Sequence, residues 1–162
     1  MSGVSSWWGR WVQKRRDCAE QRRRQLLTGS LLPLLNEEAE LALALGRHAK
    51  RLWYPHLRER VEGAARASEG AVQKLREAVV AQGVTPAPPA PAADEEMTVV
   101  ECLSRDIERL RAMALAYRDA ADLAQKVPDE RLVALLGTLH RTKVDQRQVL
   151  LRIVTRLDGY AR

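Results

Sequence analysis

The sequence predicts an all-α protein built as a four-helix bundle, and three observations lead to this prediction. Apolar residues make up 46% of the 162 residues, but aromatic residues only 4%, and Phe is absent. The apolar set is therefore mostly leucine, alanine and valine, mixed with arginine and glutamate, a composition that favours helices. Apolar residues recur every three or four positions over long segments. A proline-rich stretch separates these segments into two pairs, which is the order of a bundle with one long crossover.

The first bundle helix is predicted over residues 30–53. The sequence "TGS" at 28–30 is expected to end the preceding segment and to cap this helix. Pro33 would then lie in its first turn, where a proline is tolerated. Pro55 restarts the chain as a second helix that stops before Gly83. Because the connecting turn is short, we expect the two helices to be antiparallel.

Residues 83–96 form the predicted crossover, with four of the seven prolines separated by small residues. Such a composition favours an extended, polyproline-like connector. At about 3.1 Å per residue it spans about 40 Å, which is the length of a helix of about 27 residues. The crossover can therefore return the chain along the whole bundle.

Two further helices are predicted after the crossover. Thr98 and Glu101 form a capping box that opens the third helix, which ends near residue 126. A turn at Pro128 leads into the fourth helix, which ends near residue 157. The alternative architecture is a three-helix or open helical assembly that another chain completes.

Each helix carries one inward-facing stripe with spacings of three and four residues. The stripes consist of Leu31, Leu34, Glu38, Leu41 or Ala42, Leu45 and Leu52; of Leu57, Val61, Ala64, Ser68, Ala71, Leu75 and Ala78; of Leu103, Ile107, Leu110, Ala114, Tyr117, Ala121 and Ala124; and of Leu132, Leu136, Leu139, Lys143, Gln146, Leu150, Ile153 and Leu157. Lys143 is an inward-facing cation in the most hydrophobic stripe, and a buried unpaired charge is costly. We therefore predict an ion pair between Glu38 and Lys143 across the bundle.

Two long segments carry a family resemblance. They read "YPHLRERVEGAARASEGAVQKLRE" in the second helix and "AYRDAADLAQKVPDERLVALLGTLHRTKVDQRQVLLRIV" across the third and fourth. With the order of two hairpins and a crossover, residues 30–158 resemble the ferritin-like superfamily, in particular its rubrerythrin-type and bacterioferritin-type small bundles. The resemblance implies a ferritin-like fold. In that family a di-iron site takes one Glu from each of two helices and a Glu-x-x-His motif from each of the other two.

The resemblance places the six ligand positions of that site on specific residues, with Leu75-Arg76, Tyr117-Arg118 and Leu150 as anchors. These positions are Glu38, Ser68, Ala71, Leu110, Lys143 and Gln146. Only Glu38 is a carboxylate, and the other five residues do not replace the carboxylates and imidazoles of a di-iron site. The resemblance therefore implies a bundle without a metal centre, cofactor or catalytic residue. In the alternative interpretation, Ser68 and Ala71 are ordinary small core residues.

No other set of residues predicts an enzyme. His48, His56 and His140 show no metal-ligand spacing with one another or with the cysteines, and Cys18 and Cys102 are expected to be free thiols. Carboxylates interleaved with arginines are expected on solvated faces, and they include Glu59, Glu62, Asp106 and Glu108. No run of 18 apolar residues could cross a membrane. We expect a cytoplasmic protein, with peripheral attachment to the inner face of a membrane as an option.

Residues 1–29 form a predicted basic, Trp-rich helical arm, separate from the bundle at 30–162. Seven basic and two acidic residues give the first 25 residues a net charge of +5, which leaves +1 for the rest of the chain. The predicted contact residues are Trp7, Trp8, Arg10, Trp11, Lys14, Arg15, Arg16, Arg22, Arg23 and Arg24. Three partners are open: an anionic membrane surface, a protein assembly or second copy of this chain, and nucleic acid. The tryptophans could also fold back over the end of the bundle.

These patterns together predict a non-catalytic, ferritin-like scaffold or binding subunit. Its arm would dock it onto a membrane surface or a larger protein assembly, and a homodimer is an open option. One alternative is an iron-handling or di-iron ferritin-like protein whose metal site the sequence does not reveal. Another is a helical protein that binds nucleic acid.

Overall fold

A computed structural model of the chain describes residues 4–88 and 96–160. The exposure and contacts of side chains are described for residues 12–88 and 96–159. Four α-helices form this part of the chain: α1 (Val4–Lys50), α2 (Pro55–Ala81), α3 (Val99–Ala124) and α4 (Glu130–Tyr160). The prediction of an all-α four-helix bundle is confirmed. No described helix is both long enough and apolar enough to cross a membrane.

The helices pack around a square in which α1 and α4 are diagonal partners. Helix α1 packs against α2 and α3, and α4 packs against the same two helices. Helices α1 and α3 are antiparallel. Arg23 of α1 bonds to residue 126, just after the end of α3, and Arg51, just after the end of α1, bonds to residue 97, just before the start of α3. Groups on α1 and α4 can therefore meet only through the bundle interior.

The predicted helix break at residues 28–30 is wrong, because α1 runs through it without interruption. The Thr28 hydroxyl donates to the carbonyl of Arg24 at 2.9 Å, and the Ser30 hydroxyl donates to the carbonyl of Leu26 at 3.1 Å. Both hydroxyls bond back along the helix instead of capping a new one. Leu27, on the preceding turn, is 1% exposed. Burial of leucines on both sides of the "TGS" sequence thus outweighs its local preference for a helix end.

Pro33 lies inside α1 and not in a first turn. A proline has no N–H for the carbonyl four residues earlier and costs about 3 kcal/mol in a helix interior. Leu31, Leu34 and Leu35 are all buried around it. Their burial, at about 1.5–3 kcal/mol for each leucine, is enough to keep the helix continuous.

The remaining boundaries agree with the sequence to within three residues. Helix α1 ends at Lys50, and α2 begins at Pro55 and ends before Gly83, whose φ of +81° suits glycine. The capping box is confirmed: the Glu101 N–H donates to the Thr98 hydroxyl at 3.3 Å, and the Thr98 N–H donates to Glu101 Oε2 at 2.8 Å. Residues 84–88 of the predicted crossover are not helical, and residues 89–95 lie outside the described residues.

The inward stripes predicted from the sequence form the core. Most of their residues are buried, whereas Ala78, Ala121 and Leu157 are only half-buried at its edges. The core also contains residues that the stripes omit, including Ala65, Val79, Cys102, Asp106, Met113 and Ala120. The bundle interior is therefore continuous and mostly aliphatic, which makes its few polar side chains conspicuous.

Candidate functional site

A buried polar network lies at the centre of the bundle and draws on all four helices. Its side chains are Glu38 of α1, Ser68 of α2, Tyr117 of α3, and Lys143 and Gln146 of α4. Glu38, Ser68, Tyr117 and Lys143 are 0% exposed and Gln146 is 5% exposed. Buried polar side chains need hydrogen-bond partners, and these side chains find most of theirs in one another. The network is therefore a specific feature of the core.

The ion pair between Glu38 and Lys143 is confirmed, and it is the centre of the network. Lys143 Nζ donates to Glu38 Oε1 and, at 3.0 Å, to Ser68 Oγ. The Tyr117 hydroxyl donates to the other carboxylate oxygen, Glu38 Oε2, at 2.6 Å. Both oxygens of the buried carboxylate thus have donors, and the pair joins the diagonal helices α1 and α4.

Gln146 extends the network towards α2. Its side-chain NH₂ group donates to the Ala64 carbonyl at 2.7 Å and to Ser68 Oγ at 3.1 Å. Gln146 Oε1 is buried with no hydrogen-bond partner among the described residues. Ser68 therefore accepts from two donors on α4, and its small side chain allows both to approach α2.

Burial perturbs the two titratable donors in opposite directions. Desolvation lowers the pKa of the Lys143 ammonium, and the Glu38 carboxylate opposes part of that change. Desolvation raises the pKa of Tyr117, and the charge of Glu38 and its hydrogen bond raise it further. Tyr117 consequently stays protonated and remains a hydrogen-bond donor to Glu38.

The residues of this network do not fit a di-iron centre. Such a centre in a helical bundle takes carboxylates from all four helices and a histidine from two of them. Here one carboxylate is available, it already accepts from Lys143 and Tyr117, and an ammonium lies where a dication would bind. Within residues 4–88 and 96–160, no cluster of three or more His, Cys, Asp or Glu side chains could hold a metal ion.

The six positions that the resemblance singles out divide into two groups. Glu38, Ser68, Lys143 and Gln146 meet in the network, whereas Ala71 and Leu110 are buried in the aliphatic core. Tyr117 belongs to the network, although its place in the stripe of the third helix predicts only a core residue. Its hydroxyl was the available signal, since a buried tyrosine hydroxyl requires a hydrogen-bond partner.

The histidines have partners of their own, away from the network. His48 Nδ1 lies 2.6 Å from Asp106 Oδ2, and both side chains are buried. The prediction that Asp106 lies on a solvated face is wrong, because the inward-facing His48 needs a polar partner and Asp106 provides it. His140 Nδ1 lies 2.8 Å from the Ala114 carbonyl, and His56 is exposed beside the ring of Tyr54.

The cysteines are both free thiols, as expected. Cys18 is exposed on α1, whereas Cys102 is buried near the start of α3. The Arg51 guanidinium donates to Cys102 Sγ at 3.4 Å. The Cys102 thiol is therefore shielded from solvent and contacted by the Arg51 side chain.

The predicted arm is the free end of α1 and not a separate helix. Residues 12–26 are exposed, except for the half-buried Glu20, so this part of α1 extends past the bundle. Arg23 donates to the carbonyl of Lys126 at 3.4 Å, and Arg24 pairs with Glu20 at 2.6 Å. Lys14, Arg15, Arg16 and Arg22 are exposed. The side chains of Trp7, Trp8, Arg10 and Trp11 lie outside the described residues.

No family model and no curated protein sequence matches the chain. Solved structures do match it. Dps from Thermosynechococcus elongatus has a TM-score of 0.74 at 14% identity, covering 84% of this chain and 94% of that one. An archaeal Dps homologue from Halobacterium salinarum has a TM-score of 0.72 at 18% identity, covering 82% of this chain and 81% of that one.

A third match is the DPS protein from Vibrio cholerae O1, described as a member of a broad superfamily of ferritin-like diiron-carboxylate proteins. Its TM-score is 0.65 at 14% identity, covering 87% of this chain and 92% of that one. Identities this low establish shape and not activity. Helix order, helix packing and these similarities agree that the chain has the ferritin-like four-helix-bundle fold.

Proposed function

We propose that this protein is a non-catalytic, ferritin-like scaffold or binding subunit that its N-terminal arm docks onto a membrane surface or a larger protein assembly. The observation that carries the proposal is the buried pair of Glu38 and Lys143 at the centre of the bundle. In this pair the Lys143 ammonium is the cation that balances the buried Glu38 carboxylate. The exposed basic end of α1 supplies the docking element.

Simple electrostatics supports a structural role for this interior. A divalent cation near Lys143 would meet a like charge in a medium of low dielectric constant, where repulsion is poorly screened. The carboxylate of Glu38 already serves two donors, so a metal would have to displace them. Binding iron here would break the network without supplying enough ligands in exchange.

A second candidate function is iron handling. It is supported by the fold similarity to proteins named Dps and to one described among ferritin-like diiron-carboxylate proteins. These descriptions favour this candidate over the scaffold proposal, whereas the buried network favours the scaffold. An iron site in this chain would need ligands other than the network, because Glu38 is its sole carboxylate.

Iron stoichiometry separates the two candidates. The full chain is incubated with excess Fe²⁺, freed of unbound metal by gel filtration, and its iron is measured by mass spectrometry. We expect less than about 0.1 iron per chain, with a di-iron ferritin as the positive control. About two irons per chain would contradict the scaffold proposal and support iron handling.

The docking part of the proposal has its own test. Full-length protein is sedimented with vesicles of anionic or of neutral lipid, beside a variant in which Lys14, Arg15 and Arg16 are replaced by glutamine. Anionic lipid attracts basic segments at about 1 kcal/mol for each residue near the surface. For membrane docking, the variant should therefore bind anionic vesicles about 100-fold more weakly. If neither protein sediments, the membrane option is wrong and the protein partner stands.

A further inference from the structure

A groove lies on the side of the bundle that α2 and α4 form. These two helices pack less closely than the other adjacent pairs. The groove has a volume of about 310 Å³, and ligand pockets in proteins begin at about 300 Å³. Its walls include the small or aliphatic residues Gly63, Ala64, Ala67 and Val149. The groove therefore has room for a compact molecule.

The floor of this groove contains a hydrogen-bond acceptor that lacks a donor. Ala64 and Gln146 are buried, whereas the other residues that line the groove are exposed or half-buried, so these two form its floor. Gln146 is 5% exposed, and its Oε1 has no hydrogen-bond partner within residues 12–88 and 96–159. An acceptor buried without a donor costs free energy, and folded proteins rarely leave one. A molecule in the groove could supply the missing donor.

Rotating the Gln146 amide does not remove this deficit. The other end of the amide lies 2.7 Å from the Ala64 carbonyl oxygen, which can only accept a hydrogen bond. That end must therefore be the NH₂ group. It also lies 3.1 Å from Ser68 Oγ. Oε1 consequently remains an acceptor, and a ligand at the floor of the groove must donate to it.

The charges around the floor favour a neutral donor. Lys143 Nζ lies 3.0 Å from Ser68 Oγ, the same atom that the Gln146 NH₂ group contacts. Glu38, which balances this ammonium, belongs to α1 and does not line the groove. A second cation beside Gln146 would be repelled by Lys143 in a poorly screened interior. A neutral N–H or O–H group avoids this repulsion.

The rim of the groove gives no preference for a charged ligand. Arg60 and Asp145 line it, and both are exposed. Their opposite charges sum to zero, and each remains available to a polar group of a bound molecule. The ligand that fits the whole groove is therefore a neutral one.

We propose that the groove between α2 and α4 binds a small neutral molecule, whose N–H or O–H group donates to Gln146 Oε1 and whose apolar part packs against Gly63, Ala67 and Val149. Primary carboxamides are simple members of this class. The site gives the protein a small-molecule ligand in addition to the partner of its arm, and it does not depend on the proposed docking function.

An NMR titration of the isotope-labelled full chain with benzamide tests the site. Benzamide combines a neutral amide with a compact apolar ring. We expect saturable shifts of the Gln146 side-chain NH₂ signal and of the Gly63 and Ala67 backbone signals, with a Kd on the order of 1 mM for so small a ligand. Methyl benzoate has no donor and benzamidine is a cation, so each should bind at least about tenfold more weakly.

Two substitutions locate the ligand. Ala67→Leu, at an exposed position, fills the groove and should raise the Kd for benzamide at least about tenfold. Gln146→Met removes the acceptor, so benzamide should lose its preference over methyl benzoate. The matched control is Ala116→Leu, at an exposed alanine in a separate groove between α1 and α3. Its Kd should stay within about twofold of the unaltered chain.

Three results would overturn the site. Shifts that do not saturate, or equal affinities for benzamide and methyl benzoate, would mean that water alone serves Gln146 Oε1. Binding that Ala67→Leu leaves intact would place the ligand on another surface. The iron and vesicle experiments are independent of these results, so failure of the site and failure of the proposed function are distinguishable.

Discussion

Lys143 lies at the centre of the buried polar network. It is fully buried, and it reaches across the diagonal to Glu38 while also contacting Ser68. Removing one partner from a buried ion pair is far more destabilising than replacing both, because the remaining charge is left without compensation. The network therefore makes predictions that distinguish a single substitution from a double one.

Replacing Lys143 with methionine should lower the free energy of unfolding by about 3–5 kcal/mol, because the Glu38 carboxylate would keep only Tyr117 as a donor. Urea denaturation measures this change. Lys74→Met, at an exposed position on α2, is the control and should change stability by less than about 0.5 kcal/mol. Equal effects of the two substitutions would show that Lys143 is not held in a buried ion pair.

The double substitution Glu38→Gln with Lys143→Met should recover much of that loss. Glutamine still accepts a hydrogen bond from Tyr117 and brings no buried charge, and a buried pair can often be replaced at little cost. We expect the double variant to exceed Lys143→Met by at least about 1 kcal/mol in the same urea experiment. Additive losses would contradict direct coupling between the two side chains.

The pH dependence of stability should carry the signature of Lys143. Its pKa is lowered in the folded protein by desolvation, so the unfolded chain binds this proton more tightly. Stability must then rise with pH between the lowered pKa and the ordinary value of about 10.4. We expect the stability of the unaltered chain, relative to Lys143→Met, to increase from pH 7 to pH 9.5. A flat or falling difference would contradict the lowered pKa.

That pH range ends below 10 because Tyr117 acts in the opposite direction. Burial raises its pKa above the ordinary value of about 10, so its contribution to stability is lost as pH rises beyond that value. Below pH 10 this opposing effect of Tyr117 has not begun, so an increase between pH 7 and pH 9.5 has the direction expected of the lysine.

At the scale of the elements, α1 shows where local sequence signals fail. The "TGS" sequence and Pro33 both predicted a helix start near residue 30, but burial of Leu27 and Leu31 carries the helix through them. The start of α3 shows the opposite case. There the capping box of Thr98 and Glu101 is exposed, no burial of neighbouring residues opposes it, and the helix begins where the box predicts.

Removing the cap of α3 should therefore have a measurable cost. Thr98→Ala deletes the acceptor for the Glu101 N–H, and loss of an N-cap costs about 1 kcal/mol. Thermal denaturation of this variant is compared with Thr155→Ala, whose exposed hydroxyl bonds only to the Leu151 carbonyl within α4. We expect the first variant to melt at a lower temperature than the second. Equal melting temperatures would show that the cap does not contribute.

The capping box also predicts a response to acid. The hydrogen bonds from Thr98 lower the pKa of Glu101 in the folded state. That contribution is present above the ordinary glutamate pKa and is lost as pH falls through the lowered value. The stability difference between the unaltered chain and Thr98→Ala should therefore shrink when urea denaturation is repeated at decreasing pH below about 4.3. A constant difference would contradict the lowered pKa.

At the scale of the whole molecule, the order and connections of the four helices could be predicted from the sequence. The polar residues of the interior could be predicted only in part. Spacings of three and four residues located the core stripes, and the position of Lys143 within them required a carboxylate, which Glu38 provides. The stripe pattern does not distinguish Tyr117 from an apolar residue, and only its hydroxyl indicates that it needs a hydrogen-bond partner. It also misplaced Asp106, since a carboxylate among arginines gives no sign of the histidine that faces it from α1.

The whole molecule is a four-helix bundle of ferritin-like fold, with a buried ion pair in its interior and one helix, α1, that extends past the bundle. The exposed basic end of the molecule and Glu38 of the buried ion pair both belong to α1. One helix therefore contributes both to the buried network and to the exposed end of the molecule. A change that weakens α1 should affect both.

A crystal structure of the protein grown with Fe²⁺, with diffraction data recorded on both sides of the iron absorption edge, would locate any metal in the bundle. We expect no anomalous peak in the interior, and continuous density for the Lys143 side chain within hydrogen-bond distance of Glu38 and Ser68. An anomalous peak beside Glu38, with Lys143 turned away from it, would contradict the proposal that an ion pair takes the place of the metal centre.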